Sequence, residues 1–391
     1  MVTTLRNDID ELLPGVIADR RWLHEHPELG FEEVQTAAFI QQRLESLGVE
    51  DIRTGIAKTG LTALIRGTGT GPGADRVLLL RADIDALPIL EENTTDYVSQ
   101  NAGTMHACGH DAHTAILLGV TRLLLERRDQ FAGTVKVLFQ PAEERFPGGA
   151  KLMVEAGVLE DPHVDAVFGL HMANELEVGN IKVAGGPVMA SPDSFEIVIQ
   201  GKGGHAARPQ AAIDPVVIGA QIVTALQTLV SRETDPMDNA VVSTTVFQAG
   251  DAFNVIPDTA RLAGTVRTFK QETRERMAAR IPELAKGIGA AMGATVEATF
   301  GYGYPATVND PAEAERIRRV AVGVLGEDKV KVMTPVMGGE DFSYFLQERP
   351  GAYFFVGSMN EAKGLVWGHH HPKFDIDEES MGVGMAVTVE L

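Results

Sequence analysis

Apolar positions along the chain fall into two kinds of pattern. Short, mainly apolar runs at residues 61–65, 77–80, 135–139, 166–170 and 353–356 are separated in several places by helical patterns such as 112–126. Continuous rather than alternating apolarity means strands covered on both faces, which predicts an α/β domain with a mainly parallel sheet flanked by helices. The chain before these runs, from about residue 3 to 47, reads as helical, with an apolar stripe over 31–47 that ends at Gly48, a candidate C-terminal cap.

Between Gly185-Gly186-Pro187 and Tyr304-Pro305 the pattern changes. Phe195, Ile197 and Ile199 alternate with Glu196, Val198 and Gln200, the period of a half-exposed strand. Asp214-Pro215 reads as a helix cap and first turn, opening a helix of about five turns whose stripe is Val217, Ala220, Val223 and Leu229. Strand patterns at 240–247 and 259–269, a helical stripe through Met277, Ile281, Leu284, Ile288 and Met292, and a strand at 295–300 complete the order βαββαβ. That order predicts a small open-faced, ferredoxin-like sandwich over 187–303, inserted between two parts of the larger domain at 1–186 and 304–391. Pro282 falls inside the second stripe, so that helix is expected to kink or to start later.

Length agrees with this division, because 391 residues exceed what one hydrophobic core usually supports. With 44% apolar and 23% charged residues the composition is that of a globular protein, not a disordered one. A net charge of -20 repels phosphate backbones and anionic membranes, so neither nucleic acid nor a membrane is an expected partner. No apolar run approaches the ~18 residues needed to cross a bilayer, and MVTTLRNDIDELLPG lacks an export pattern, which makes the cytoplasm the expected compartment. The single cysteine, Cys108, excludes an intramolecular disulfide and leaves a thiol that is buried, catalytic or metal-bound.

Ligands of open α/β sheets gather beyond the carboxyl ends of the strands. The run at 77–80 leads into Asp83 and Asp85, that at 135–139 into Glu143-Glu144, and that at 166–170 into His171. Met105-His106-Ala107-Cys108-Gly109-His110-Asp111-Ala112-His113 puts a thiol and imidazoles at a helix entrance, and Gly368-His369-His370-His371-Pro372 lies in an expected loop. Such donors suit zinc, manganese, cobalt or nickel rather than calcium or magnesium. A metal there would polarise a carbonyl while a carboxylate moves the proton, jobs that Glu143 and Glu144 can divide, though spacing does not say how. Taken alone, each cluster is more simply a solvated or hydrogen-bonded feature, and the His369–His371 tract a surface chelator. Their coincidence at strand and helix ends favours a metal site over a buried polar network. Cys108 beside His110 also admits a thiol nucleophile, but that chemistry would leave the acidic strand ends without a role.

These residues resemble the amidohydrolase branch of the aminoacylase and carboxypeptidase metallopeptidase family over nearly the whole chain. The resemblance rests on Arg20-Arg21-Trp22-Leu23-His24 with Pro27-Glu28-Leu29, on the 81–88, 105–113 and 139–144 stretches, and on Gly169-Leu170-His171. It continues through Gly203-Gly204-His205-Ala206-Ala207, Asn254-Val255-Ile256-Pro257, Gly338-Gly339-Glu340-Asp341-Phe342 and the 370–375 stretch. It implies hydrolysis of N-acyl amino acids, with a pair of divalent metals on Cys108, His110, Glu144, His171 and His370, and Glu143 as general base. It further implies that the insert is a lid and dimerisation domain, with His205 stabilising the oxyanion of a partner subunit's site. Asn254, Arg267 and Gly339 would contact substrate, and Asp85 would orient a ligand. The broader family has His where Asp83 stands and a bridging Asp where Cys108 stands, which leaves the metal geometry open. A carboxypeptidase or dipeptidase, or an inactive binding protein on the same scaffold, are the competing expectations.

Overall fold

The computed structural model describes residues 2–391, with side chains from Leu5 onward. The chain divides into two compact units. One runs through Val188 and resumes over Val308–Thr334 and Asp341–Leu391; the other comprises Met189–Thr307 together with Pro335–Glu340. That last short segment places Gly339 in the second unit.

The first unit is built on an eight-stranded sheet in the order Glu50–Ile56, Gly60–Arg66, Thr134–Gln140, Val77–Asp83, Ala166–Glu177, Gly351–Met359, Ile181–Val183, Val330–Val332. The four central strands, from Thr134–Gln140 to Gly351–Met359, are mutually parallel. Gly60–Arg66 is antiparallel to both neighbours although it is as apolar as the central strands. Continuous apolarity reports that both faces are covered, and it carries no information about strand direction.

Helices Val2–Glu25, His110–Glu126 and Ser380–Val389 cover one face and meet through Leu5, Ile9, Val16, Ile116, Val120, Met381 and Met385. Gly119 permits this close approach, since a Cβ there would lie 2.4 Å from Met385 Sδ. The helical stretch expected over 3–47 is two helices, Val2–Glu25 and Val34–Ser46, interrupted around Pro27 and Gly30. Pro27 lacks the amide needed to continue the first helix, and Phe31 adopts a left-handed φ of 68°. Glu28 then accepts the Thr36 amide at 2.9 Å near the start of the second helix.

In the second unit the strands Ala240–Gln248, Thr259–Thr268, Ser191–Gln200 and Thr295–Gly301 form one antiparallel sheet in that order. Phe195, Ile197 and Ile199 point to its buried face and pack with Leu262, Val266 and the helices Pro215–Ser231 and Gln271–Ala291. Asp214 caps the first helix, accepting the Val216 amide at 2.9 Å. Its buried stripe is Ile218, Ile222, Leu226 and Leu229, whereas Val217 is 48% exposed. The helix is apolar nearly all round, so periodicity alone misjudges its inward face by about one residue, and packing on the sheet decides it. Gln271–Ala291 continues through Pro282 and buries Met277, Ile281, Ala285 and Gly289, leaving Met292 40% exposed. Among the described residues no helix is long and apolar enough to cross a membrane.

Candidate metal centre

The chain leaves the Thr134–Gln140 strand through Pro141-Ala142-Glu143-Glu144, and three carboxylates fix this turn. Glu33 accepts the Ala142 amide at 2.8 Å and the Thr59 hydroxyl at 2.6 Å, holding Ala142 at a left-handed φ of 51°. Asp341 accepts Gln140 Nε2 at 2.7 Å and the Ala150 amide at 3.0 Å. Asp85, just past the Val77–Asp83 strand, accepts the Glu143 amide on Oδ1 and the Glu144 amide on Oδ2, both at 3.0 Å. One buried carboxylate therefore sets the backbone of both glutamates. Asp85→Asn turns an amide toward at least one of these N–H groups and leaves it unpaired. Loss of kcat by roughly 10- to 100-fold is expected, with the fold retained. A variant turning over at the wild-type rate would remove Asp85 from this role.

The hydrogen bonds of the imidazoles assign their nitrogens. His110 Nδ1 lies 2.9 Å from the Asp85 carbonyl oxygen and so donates to it, which turns Nε2 inward, buried and without a hydrogen-bond partner. His171 Nδ1 donates to the Met172 carbonyl at 2.6 Å, leaving Nε2 to face Cys108 Sγ at 3.5 Å. His369 Nε2 donates to the same carbonyl at 2.9 Å. His113 is different: Nε2 accepts the Met172 amide at 2.9 Å, so Nδ1 carries the proton it donates to Asp83 at 2.5 Å. Both of its nitrogens are used, as are both oxygens of Asp83, whose Oδ2 accepts Arg81 at 2.6 Å. Asp83, His110 and His113 are clustered, with both His113 nitrogens and both Asp83 oxygens already engaged in hydrogen bonds that brace the site.

His171 is not at a strand end. It lies inside the Ala166–Glu177 strand, opposite Phe355, because pairing with Gly351–Met359 carries the strand past the apolar run. His110 opens the helix His110–Glu126 behind Gly109, whose φ of 86° suits glycine. His370, on the loop before Pro372, donates its amide to the Ala107 carbonyl at 2.7 Å and brings Nε2 to 2.9 Å from Glu144 Oε1.

Donor atoms of Cys108, His110 and His171 lie within 4.8 Å of one another, as do those of Cys108, Glu144 and His370, and those of His110, Glu143 and Glu144. The first two groups share the thiol, so the residues fit a pair of adjacent ions. The electrostatics agree. Burial together with the charges of Glu144, Glu143 and Asp83 pushes the Cys108 thiol well above its usual range, so without a metal ion the group is a thiol, and a bound cation would favour the thiolate. Burial alone would strip His110 of its proton, but Asp83 and Asp85 outweigh it and raise the group to about 10. The field that would hold a proton on Nε2 equally favours a metal ion there. Burial lowers His171 to about 4, keeping it neutral and able to donate a lone pair. Such a thiol is a poor free nucleophile, which counts against the cysteine-hydrolase alternative.

The remaining candidates belong to the second unit and form two places. His205 and Asn254 adjoin each other, since His205 pairs with Val255 and the Ala206 amide donates to the Asn254 carbonyl at 3.1 Å. His205 is exposed, and its Nδ1 accepts the Ala207 amide at 3.0 Å, leaving the proton on Nε2. Arg267 pairs with Pro192 and donates Nε to the Met337 carbonyl at 3.1 Å; Gly339 packs on the same proline, where a Cβ would meet Cγ at 2.5 Å. Sequence reading singled out neither Glu33 nor the bracing roles of His113 and Met172. Glu33 lies in no motif and acts across 109 residues of chain.

Residues 79–391 match the profile of peptidase family M20/M25/M40. The chain is 48% identical over 301 residues to the N-acyl-L-amino acid amidohydrolase of Geobacillus stearothermophilus, covering 77% of this chain and 80% of that protein. It is 44% identical over 372 residues to the N-acetylcysteine deacetylase of Bacillus subtilis (strain 168), covering 95% and 94%. Among solved structures, the Bacillus subtilis YXEP protein, a dinuclear metal binding peptidase from the M20 family, superposes with a TM-score of 0.84 at 40% identity, over 97% of each chain.

Proposed function

We propose that this chain, which belongs to peptidase family M20/M25/M40, hydrolyses the amide bond of N-acyl amino acids at a pair of divalent metal ions, with Glu143 as general base. The observation that carries this reading is Asp85, whose two oxygens hold the amides of Glu143 and Glu144. With Glu143 thus held next to Glu144, whose carboxylate converges with Cys108 and His370, this supports reading Glu143 as the proton-transfer group. Cys108, His110, Glu144, His171 and His370 would hold the metals, with manganese, zinc, cobalt or nickel suited to this sulfur, nitrogen and oxygen set. When bound, the metal pair polarises the amide carbonyl and lowers the pKa of water.

Glu143 takes a proton from the attacking water as its oxygen bonds to the acyl carbon, and returns it to the nitrogen as the C–N bond breaks. The products are the carboxylate of the acyl group and the free amino acid. His205, with its proton on Nε2, is equipped to donate to the developing oxyanion, in a homodimer to the site of the partner subunit. Arg267 and Asn254 are proposed to hold the substrate carboxylate, to which a guanidinium offers a paired fork, with Gly339 lining the path. In this reading the second unit is a ferredoxin-like lid and dimerisation domain, supported by its βαββαβ order. The cytoplasm as compartment is supported by one buried, unpaired cysteine.

Exhaustive chelation is expected to abolish hydrolysis of N-acetyl and N-benzoyl amino acids, and metal add-back to restore it. Chelation should lower the unfolding free energy by RT ln(1 + [L]/Kd), about 4 kcal/mol when the free ion is at a thousand times its Kd, and the melting temperature should fall with it. Turnover that survives chelation but dies on alkylation would replace this reading with the thiol mechanism. Faster turnover of dipeptides than of N-acyl amino acids would replace the substrate class.

A further inference from the structure

The Arg20 to His24 motif takes no part in the chemistry above, yet Arg20 is completely buried. A guanidinium withdrawn from water is tolerated only where carboxylates and hydrogen bonds surround it. Arg20 Nε lies 2.8 Å from Asp111 Oδ2, one terminal nitrogen donates to Asp375 Oδ1 at 2.8 Å, and the other reaches Glu378 Oε1 at 3.4 Å. Asp111 follows His110 directly, in the first turn of the His110–Glu126 helix. Asp375 lies on the loop that carries His370. One fork therefore stands between the two segments that deliver Cys108 and His110 on one side and His370 on the other.

Both carboxylates are themselves oriented. His24 Nδ1 is 2.7 Å from Asp111 Oδ2, and Asp111 Oδ1 accepts the Ala112 amide at 2.9 Å. The Tyr97 hydroxyl donates to Asp375 Oδ2 at 2.7 Å, and Asp375 Oδ1 accepts the Ile376 amide at 2.9 Å. In front of the fork, the His370 amide donates to the Ala107 carbonyl at 2.7 Å, so the two segments are joined at the ligands and braced again behind them.

We infer that Arg20 is a positioning residue for the metal centre, its guanidinium fixing the spacing between the Cys108 segment and the His370 loop. The inference rests on the metal reading of this site. It has an asymmetric consequence. The group Cys108, His110 and His171 closes without the His370 loop, whereas Cys108, Glu144 and His370 converge only when the two segments keep their spacing. Loss of the brace therefore weakens one ion and spares the other.

The test is a cobalt titration of the metal-free full-length protein, read by visible absorption of the ion and by the thiolate-to-cobalt band from Cys108. Arg20→Lys keeps a charge but not the fork, and Tyr97→Phe removes only the hydroxyl that orients Asp375. Wild type is expected to bind two ions. Both variants should bind the first with unchanged affinity and the second roughly 10- to 100-fold more weakly, the loss usual when a group supporting a ligand is removed. A merely structural role would lower the melting temperature of the apoprotein and leave both affinities intact, and that result in folded Arg20→Lys would overturn the inference. Should Arg20→Lys not fold, Tyr97→Phe decides, with wild-type affinity for both ions counting against the brace. A wild-type chain that takes up no cobalt would sink the metal reading itself, a failure distinct from wild-type affinities in the variants.

Discussion

Glu143→Gln is expected to lower kcat for N-acyl amino acid hydrolysis by about 10²- to 10⁴-fold while leaving metal content and melting temperature close to wild type. The substitution keeps the size of the side chain and the backbone amide that donates to Asp85, so the turn stays in place. What it removes is the basic oxygen that accepts a proton from water, and a thousandfold loss corresponds to about 4 kcal/mol in the barrier. Glu144→Gln is the necessary companion. Glu144 Oε1 sits 2.9 Å from His370 Nε2 within the group that includes Cys108, so its substitution should cost an ion rather than only a proton acceptor. Steady-state kinetics together with metal analysis of both variants separates the roles. If Glu143→Gln loses an ion and Glu144→Gln keeps both, the assignments are reversed.

Gly149→Ala is expected to damage stability and activity together. An added Cβ would stand 1.8 Å from the Pro141 carbonyl oxygen, a backbone atom that no rotamer change can move aside. The Gly149 amide also donates to the Ala142 carbonyl at 3.1 Å, so the start of the Gly149–Glu155 helix and the Pro141–Ala142 turn must separate to admit a methyl group. Overpacking of this kind costs about 1–3 kcal/mol. The turn carries Glu143, and a displacement on the order of 1 Å costs about 10²-fold in rate. Gly323→Ala provides the contrast, since it lies in the Pro311–Leu325 helix with nothing within 4 Å of its Cβ position. There alanine should stabilise by roughly 0.5–1 kcal/mol and leave kcat unchanged. Denaturant unfolding and kcat on the two variants check both statements, and an active, fully stable Gly149→Ala would show that the turn is softer than its packing implies.

Much of the fold was legible because its signals are local. The runs at 77–80 and 353–356 are too apolar for a half-exposed strand, the alternation at 195–199 can serve only a one-sided sheet, and Asp214-Pro215 caps its own helix. Strand direction and helix facing were not legible. Gly60–Arg66 has the composition of its parallel neighbours and runs against them, and Pro215–Ser231 is apolar nearly all round, so that Val217 rather than Ile218 read as the inward position. In both cases the pattern says how much of an element is covered, and the covering partner, which the pattern does not name, sets the rest.

At the site, sequence by itself determined which chemistries were available: one thiol, imidazoles and paired carboxylates, spread over segments from residue 83 to 371. Their ordered motifs also carried the family resemblance. Only the tertiary structure decided which nitrogen of each histidine is free. His110 and His171 present Nε2 because Asp85 and Met172 engage Nδ1, whereas His113, from the same motif, spends both nitrogens on Asp83 and Met172. Likewise Glu33, Asp85 and Arg20 hold the ligand-bearing turns across 109, 58 and 355 residues of chain. A hydrogen bond depends on separation and angle in space, and two groups that distant in sequence have no local pattern that fixes either one.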